Sequence, residues 1–331
     1  MPCTASSCGT AWSRCVWEWA RVLPASSSVF EENPALAPRH IPVVSATLVA
    51  ATTPAHPFDQ AIALQPQNVD TLAGHTSADY WNMVGPFGGI SAAVALNAVM
   101  QHPSRLGEPV ALTINYASGL APGPLKVSAR AARTNRSTQH WIIEVAQANQ
   151  AGVQETVLTA TAITAVRRST WSHHDMPMPP VPAPQDVPRN AVIASLEWLK
   201  RYELRMVTGT MPKNFDGVIR DEAPETASLT QLWMRDAPPR PIDFCALAAL
   251  ADVVFPRVYL RRPRRVPVGT VSMTVYFHAS AADLLECGSA YVLGQARGQV
   301  FHNGFFDQSA QLWSESGRLL VTSLQIVYFK E

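Results

Sequence analysis

The chain has 331 residues, 47% hydrophobic and 15% charged, with a formal net charge of +1. That composition can bury a sizeable core and excludes wholesale disorder, and the near-neutral balance gives no global pull towards nucleic acid or acidic membranes. No uninterrupted apolar run approaches the roughly 18–20 residues that span a bilayer, so no membrane partner is expected. Residues 1–55 come first, rich in Ser and Ala, without a clear period, and carrying Cys3, Cys8 and Cys15. Arg14, Glu18 and Arg21 interrupt the apolar stretch "AWSRCVWEWARVLP", which is unlike a secretory signal, so the segment reads as a disordered N-terminal tail. Five cysteines is an odd number, and Cys245 and Cys287 have no metal-ligand spacing around them. A reduced, cytoplasmic chain without metal or cofactor is expected.

From residue 56 a pattern of elements appears twice. The first half offers a Gly-rich entry and helix, "GPFGGISAAVALNAVM" (85–100), then four predicted strands at 109–119, 124–136, 140–149 and 155–166. The Pro-rich segment "SHHDMPMPPVPAPQDVP" (172–188) follows and reads as a semi-extended linker, with His173, His174 and Asp175 solvated rather than ligating a metal. The second half gives the helix "PIDFCALAALADVV" (241–254) and strands at 268–279, 290–304, 305–317 and 318–330. "VSMTVYF" aligns with "VALTINY", and "LLVTSLQIV" with "TVLTATAIT", each about 160 residues apart. The halves span 56–167 and 196–331, joined by a linker over 168–195.

An apolar helix followed by a long antiparallel meander implies a sheet curled around that helix. Two copies side by side would cover the exposed sheet edges. The expected fold is therefore α+β, a tandem double hot-dog with two antiparallel sheets, each wrapped around a central helix.

Asp252 is conspicuous in this scheme. It closes an almost wholly apolar helix, on a stripe of small residues formed by Ala249, Ala248 and Cys245. A carboxylate there needs a partner or a purpose. The negative end of the helix dipole would raise its pKa and improve it as a base.

The segments "VGPFGGISAAVALNAV", "ALADVVFPR", "GTVSMTVYFHA" and "VTSLQIVYFK", in that order, resemble the acyl-CoA thioesterase II family over roughly residues 60–331. The resemblance implies an acyl-CoA substrate, fatty acid metabolism, and a water held by an Asp, a Thr and a Gln in the second copy. Those positions fall on Asp252, Thr270 and Gln325. The matching positions of the first copy, Asn97, Pro109 and Ala162, cannot act as a base or make the same hydrogen bonds. One active site per chain is implied, with self-association into homo-oligomers.

Three local patterns bear on this reading. Alternation along "VGTVSMTVYFHA" puts Val271, Met273, Val275 and Phe277 on one face and Thr270 on the other. Thr270 can reach the site through a bulge near Gly269, or if the site lies at the sheet's end. Gly88 and Gly89 would let a backbone or an acyl chain approach the helix start closely. Arg261, Arg262, Arg264 and Arg265 form the dense basic cluster, suited to the phosphates of coenzyme A or to a solvated loop. Nucleic acid lacks the wider basic face it would need. Two rivals remain: a non-catalytic acyl-CoA-binding hot-dog protein, and a hot-dog enoyl-CoA hydratase or dehydratase. Asp70 and His75 have the hydratase spacing, but "TLAG" stands where those enzymes carry Asn-Pro.

Overall fold

The computed structural model describes residues 55–191, 195–218 and 227–331. The expected tail lies, but for Ala55, outside the described residues. A short helix α1 (Pro57–Ala61) and strands β1 (Gln65–Pro66) and β2 (Thr71–His75) lead to helix α2 (Gly88–Met100). Ten of the thirteen α2 residues are buried, as a helix apolar on all sides must be. Strands β3 (Glu108–Tyr116), β4 (Pro124–Thr134), β5 (Thr138–Ala148) and β6 (Gln154–Ala165) complete the first half.

The second half opens with β7 (Tyr202–Thr208) and β8 (Thr230–Asp236), then α3 (Phe244–Leu250) and α4 (Val258–Arg261). Strand β9 (Val268–Phe277), helix α5 (Ala281–Cys287) and strands β10 (Val292–Arg297), β11 (Phe301–His302), β12 (Phe305–Ser314) and β13 (Leu319–Phe329) follow. Helix α3 is shorter than its sequence pattern predicts. The Asp243 side chain caps its start by accepting from Ala246 N at 2.8 Å. Its end tightens into i→i−3 bonds, Asp252 N to Ala249 O and Val253 N to Leu250 O.

The strands form one continuous antiparallel sheet in the order β1-β2-β4-β5-β6-β3-β9-β13-β12-β10-β8-β7, with β11 paired to β12. The expectation of two separate sheets is corrected here. Strand β3 pairs with β9 from Ala111↔Tyr276 to Asn115↔Ser272, fusing the edges that each half would otherwise expose. Arg167 strengthens this seam by donating to Pro109 O and Phe277 O at 2.9 and 2.8 Å. The order is palindromic about the seam. In each half the strand before the main helix lies towards the outside, and the strand after it lies at the centre.

The hydrophobic core takes residues from both halves, including α2, α3 and the inward faces of the strands. Gly89 of α2 is pressed against Ala249 of α3, so close that a Cβ on Gly89 would lie 2.5 Å from Ala249 O. The linker has no regular structure from Arg167 to Ala183 and then packs on the second half. Val187 joins a small cluster with Trp233, Tyr291, Leu293 and Trp313, and Pro182 O accepts from Trp233 Nε1 at 2.9 Å. Within the linker, His173 and Asp175 pair with each other at 3.0 Å.

Candidate active site

Three elements converge on Asp252: the chain leaving α3, the strand pair β9–β13, and the start of α2. Gln325 of β13 is 2% exposed. Its Nε2 donates to Asp252 Oδ1 at 3.0 Å, with longer contacts to Ala251 O and Met273 Sδ. Thr270 Oγ1 in turn donates to Gln325 Oε1 at 3.3 Å. The three residues singled out from the sequence thus form one hydrogen-bonded chain, Thr270 to Gln325 to Asp252.

Thr270 reaches this chain through a bulge. Along β9 and β13, Ile326 pairs with Ser272 but Val327 pairs with Thr270, which leaves Val271 as the extra residue. One inserted residue exchanges the faces of everything beyond it. Val271, predicted to face inward with Met273, is 41% exposed, and Thr270 turns to the side of Gln325. Strand β3 carries a matching irregularity at Val110, between Pro109 and Ala111. The bulge is therefore a property of both halves, and in the second it presents a hydroxyl.

The start of α2 closes the other side. The Gly89 backbone amide helps to lower the Asp252 pKa, and a Cβ on Gly88 would fall 2.7 Å from Asp252 Oδ2. Both glycines permit close approach, as expected, but what approaches is the α3 backbone and the carboxylate itself. Burial pushes the Asp252 pKa up to about 7, against partial lowering by the hydrogen bond from Gln325 and by the Gly89 amide. The rise expected for Asp252 is present, and desolvation is its largest cause. At neutral pH the carboxyl is close to half ionised, which suits a group that must take up and release a proton.

A second carboxyl escaped the sequence reading. Asp236, at the end of β8, is 5% exposed and is also pushed to about 7 by burial. Its Oδ1 has no hydrogen-bond partner among the described residues, whereas Asp252 is tied into a polar chain. No sequence signal marked it, since a polar residue at the end of a strand is ordinarily exposed. Tyr116 was also missed. It lies at the end of β3, and its hydroxyl donates to Gly88 O at 3.0 Å.

The remaining candidates are dispersed. Arg262 pairs with Glu331, Arg265 lies over the Phe215 ring at 4.8 Å, Arg261 ends α4, and Arg264 is exposed. Arg257, their neighbour in sequence, is fully buried and donates to Phe255 O, Gln308 Oε1, Ser228 O and Thr230 Oγ1. Asp70 is hydrogen-bonded to His102 at 3.0 Å, while His75 bonds the Thr76 carbonyl, so these two do not form a joint site. In the first half, Asn97 Nδ2 donates to Ile62 O, Pro109 O accepts from Arg167, and Ala162 is buried. A cleft of about 390 Å³ opens beside Asn97, but Arg240 within it is already paired with Asp59 and Asp243.

Residues 77–165 match the acyl-CoA thioesterase N-terminal domain, and residues 174–329 match the acyl-CoA thioesterase C-terminal domain. A conserved protein of unknown function with a hot-dog fold from Alicyclobacillus acidocaldarius is 45% identical, with 84% of this chain and 99% of that one covered and a TM-score of 0.76. An acyl-CoA thioesterase II from Mycobacterium marinum shares the fold at 18% identity, with 82% and 98% covered and a TM-score of 0.63. No curated protein matches the chain. No helix among the described residues is long and apolar enough to cross a membrane. With both halves matched in order and a 45% identical hot-dog relative spanning most of its length, this chain belongs to the acyl-CoA thioesterase family.

Proposed function

We propose that the protein hydrolyses acyl-CoA thioesters to a free acid and coenzyme A, from one site in its second hot-dog half. The observation that carries this reading is the buried Asp252, poised near neutral pH and joined through Gln325 to Thr270. The Thr270 hydroxyl proton is committed to Gln325, which leaves its oxygen free to accept from a water. Asp252 takes a proton from that water as its oxygen attacks the thioester carbonyl. The tetrahedral intermediate then collapses with cleavage of the carbon–sulfur bond. The departing thiolate recovers the proton, and no covalent enzyme intermediate forms.

Residues 56–167 and 196–331 are the two hot-dog halves of this reading, with the first supporting the second. The thiols of Cys245 and Cys287, free among the described residues, fit a reduced, cytoplasmic setting. Release of free thiol across a panel of acyl-CoA substrates tests the proposal. Saturable release supports it. Binding without release would favour an acyl-CoA-binding protein, and loss of enoyl absorbance would favour a hydratase.

The arginine cluster gives a separable expectation. Changing Arg261, Arg262, Arg264 and Arg265 together to Gln is expected to raise KM for acyl-CoA roughly tenfold at low salt, and to flatten its salt dependence. Hydrolysis of a short thioester without the nucleotide should barely change. Equal losses on both substrates would mark the cluster as structural.

A further inference from the structure

The Gly88–Gly89 peptide is held at both ends. Its carbonyl accepts the Tyr116 hydroxyl at 3.0 Å, and it lies against the Asp252 carboxylate, which a Cβ on Gly88 would meet at 2.7 Å and whose pKa the Gly89 amide lowers. Tyr116 stands on β3 of the first half and Asp252 follows α3 of the second, so this one peptide plane links the halves at the proposed base. The phenol itself is fixed by its surroundings. Tyr116 pairs across β3 and β6 with the fully buried Leu158, and its ring packs on the core. A hydroxyl donating to a peptide carbonyl polarises that peptide and strengthens donation from its N–H. It also prevents the plane from rotating away from the carboxylate.

We propose that Tyr116 is a positioning residue for Asp252, acting through the Gly88–Gly89 peptide. This rests on the reading of Asp252 as the general base. It also gives the first half a part in the chemistry although that half has no base at Asn97. Glycine is needed at 88 for the same reason, since a Cβ there would meet both Asp252 Oδ2 and, at 3.5 Å, the Tyr116 hydroxyl.

The groups around Asp252 leave its titration simple. Gln325 and Thr270, from β13 and β9, are neutral, as is the α2 backbone. The titratable side chains that feel Asp252 are the phenols of Tyr116 and Tyr202, both held well above their usual range by burial and so protonated. Displacing the Gly89 amide would remove its stabilising influence from the carboxylate and move its midpoint upward.

The test compares the full-length wild type with Tyr116→Phe, which keeps the ring and removes the donor. Asp252 ionisation is followed by carboxyl-carbon NMR, alongside pH profiles of thiol release. The Asp252 midpoint is expected to rise by about 0.5–1 pH unit, the scale of one lost hydrogen bond. Activity at pH 7 is expected to fall roughly 2–5-fold and to recover towards pH 9, with KM nearly unchanged. Tyr116→Leu removes the same donor and should give the same shift, so it serves if the Phe variant folds poorly. An unmoved Asp252 midpoint, or an activity loss equal at every pH, would overturn the assignment. If the wild type released no thiol, the functional reading would fail, while the NMR titration would still decide the role of Tyr116.

Discussion

Asp252→Asn is expected to lower thioester hydrolysis by about 10²–10⁴, the range lost when a positioned general base is removed. The amide keeps the shape and the contact with Gln325 but cannot accept a proton from water. In the wild type, activity should fall as pH drops below about 7, the value to which burial raises Asp252. Asp236 is raised to about 7 as well, so Asp236→Asn is the necessary control. If Asp252 is the base, the acid limb survives in that variant. Asn97→Ala, at the corresponding place in the first half, should cost far less activity. Retained hydrolysis in Asp252→Asn together with its loss in Asn97→Ala would move the chemistry to the other half.

The same substitution has a stability consequence of definite sign. The folded pKa of Asp252 lies above its unfolded value of about 3.8, so between about pH 4 and 7 the folded state binds more protons. Stability from this group is complete below about pH 4 and is lost as pH rises through about 7. At pH 8 the wild type folds with a buried charge that Asn lacks. Asp252→Asn should therefore unfold at a higher temperature at pH 8, by at most about 4 kcal/mol, and show little gain at pH 4.

The adjacent glycines of α2 should respond differently to one added methyl group. At Gly89 the new Cβ would lie 2.5 Å from Ala249 O, a backbone atom that cannot swing aside. The two helices must part, at a cost of about 1–3 kcal/mol for overpacking. The gain of about 0.5–1 kcal/mol that Ala normally brings to a helix does not offset this. Gly89→Ala should therefore lower Tm by several degrees. At Gly88 the obstacle is the Asp252 carboxylate, a side-chain end that can move. Gly88→Ala should fold nearly normally yet lose about 10²-fold in activity, as displacement of a reacting group by about 1 Å commonly costs. Thermal unfolding and thiol release on both variants check the contrast, and matching losses of stability would contradict it.

The two-copy organisation was legible because it rests on a pattern longer than any one element, whereas the Asp252–Thr270–Gln325 set was pointed to by the resemblance to the acyl-CoA thioesterase II family. The repeat spacing persists across five elements, and a polar residue in an apolar strand, such as Gln325, advertises a partner. The inward turn of Thr270 could be framed only as alternatives, since strict alternation points it outward and only the pairing of Val327 shows the bulge. Fusion into one sheet was hidden for a related reason. Each half was expected to have an exposed edge, and nothing local states which edges meet. Strands β7 and β8 were passed over because their alternation is broken by residues such as Arg205 and Trp233. Helix α5 was passed over although Ser280 and Asp283 form a capping box at its start. Tyr116 was invisible for want of anything unusual in its neighbourhood, because its role depends on a carbonyl brought to it by another element.

The seam between β3 and β9 also bears on how the chain reaches this state. Thr113 and Thr274 hydrogen-bond across it, although 161 residues separate them. Hairpins such as β5–β6 and β12–β13 join near neighbours and can form early, whereas the seam must wait for loop closure over half the chain. Until it closes, the start of α2 is not delivered to Asp252, and the carboxyl remains hydrated with an ordinary acidity. The proton-accepting power of the site is thus expected to be acquired late in folding. A chain whose halves are each formed but not yet joined would have most of its secondary structure and almost none of its chemistry.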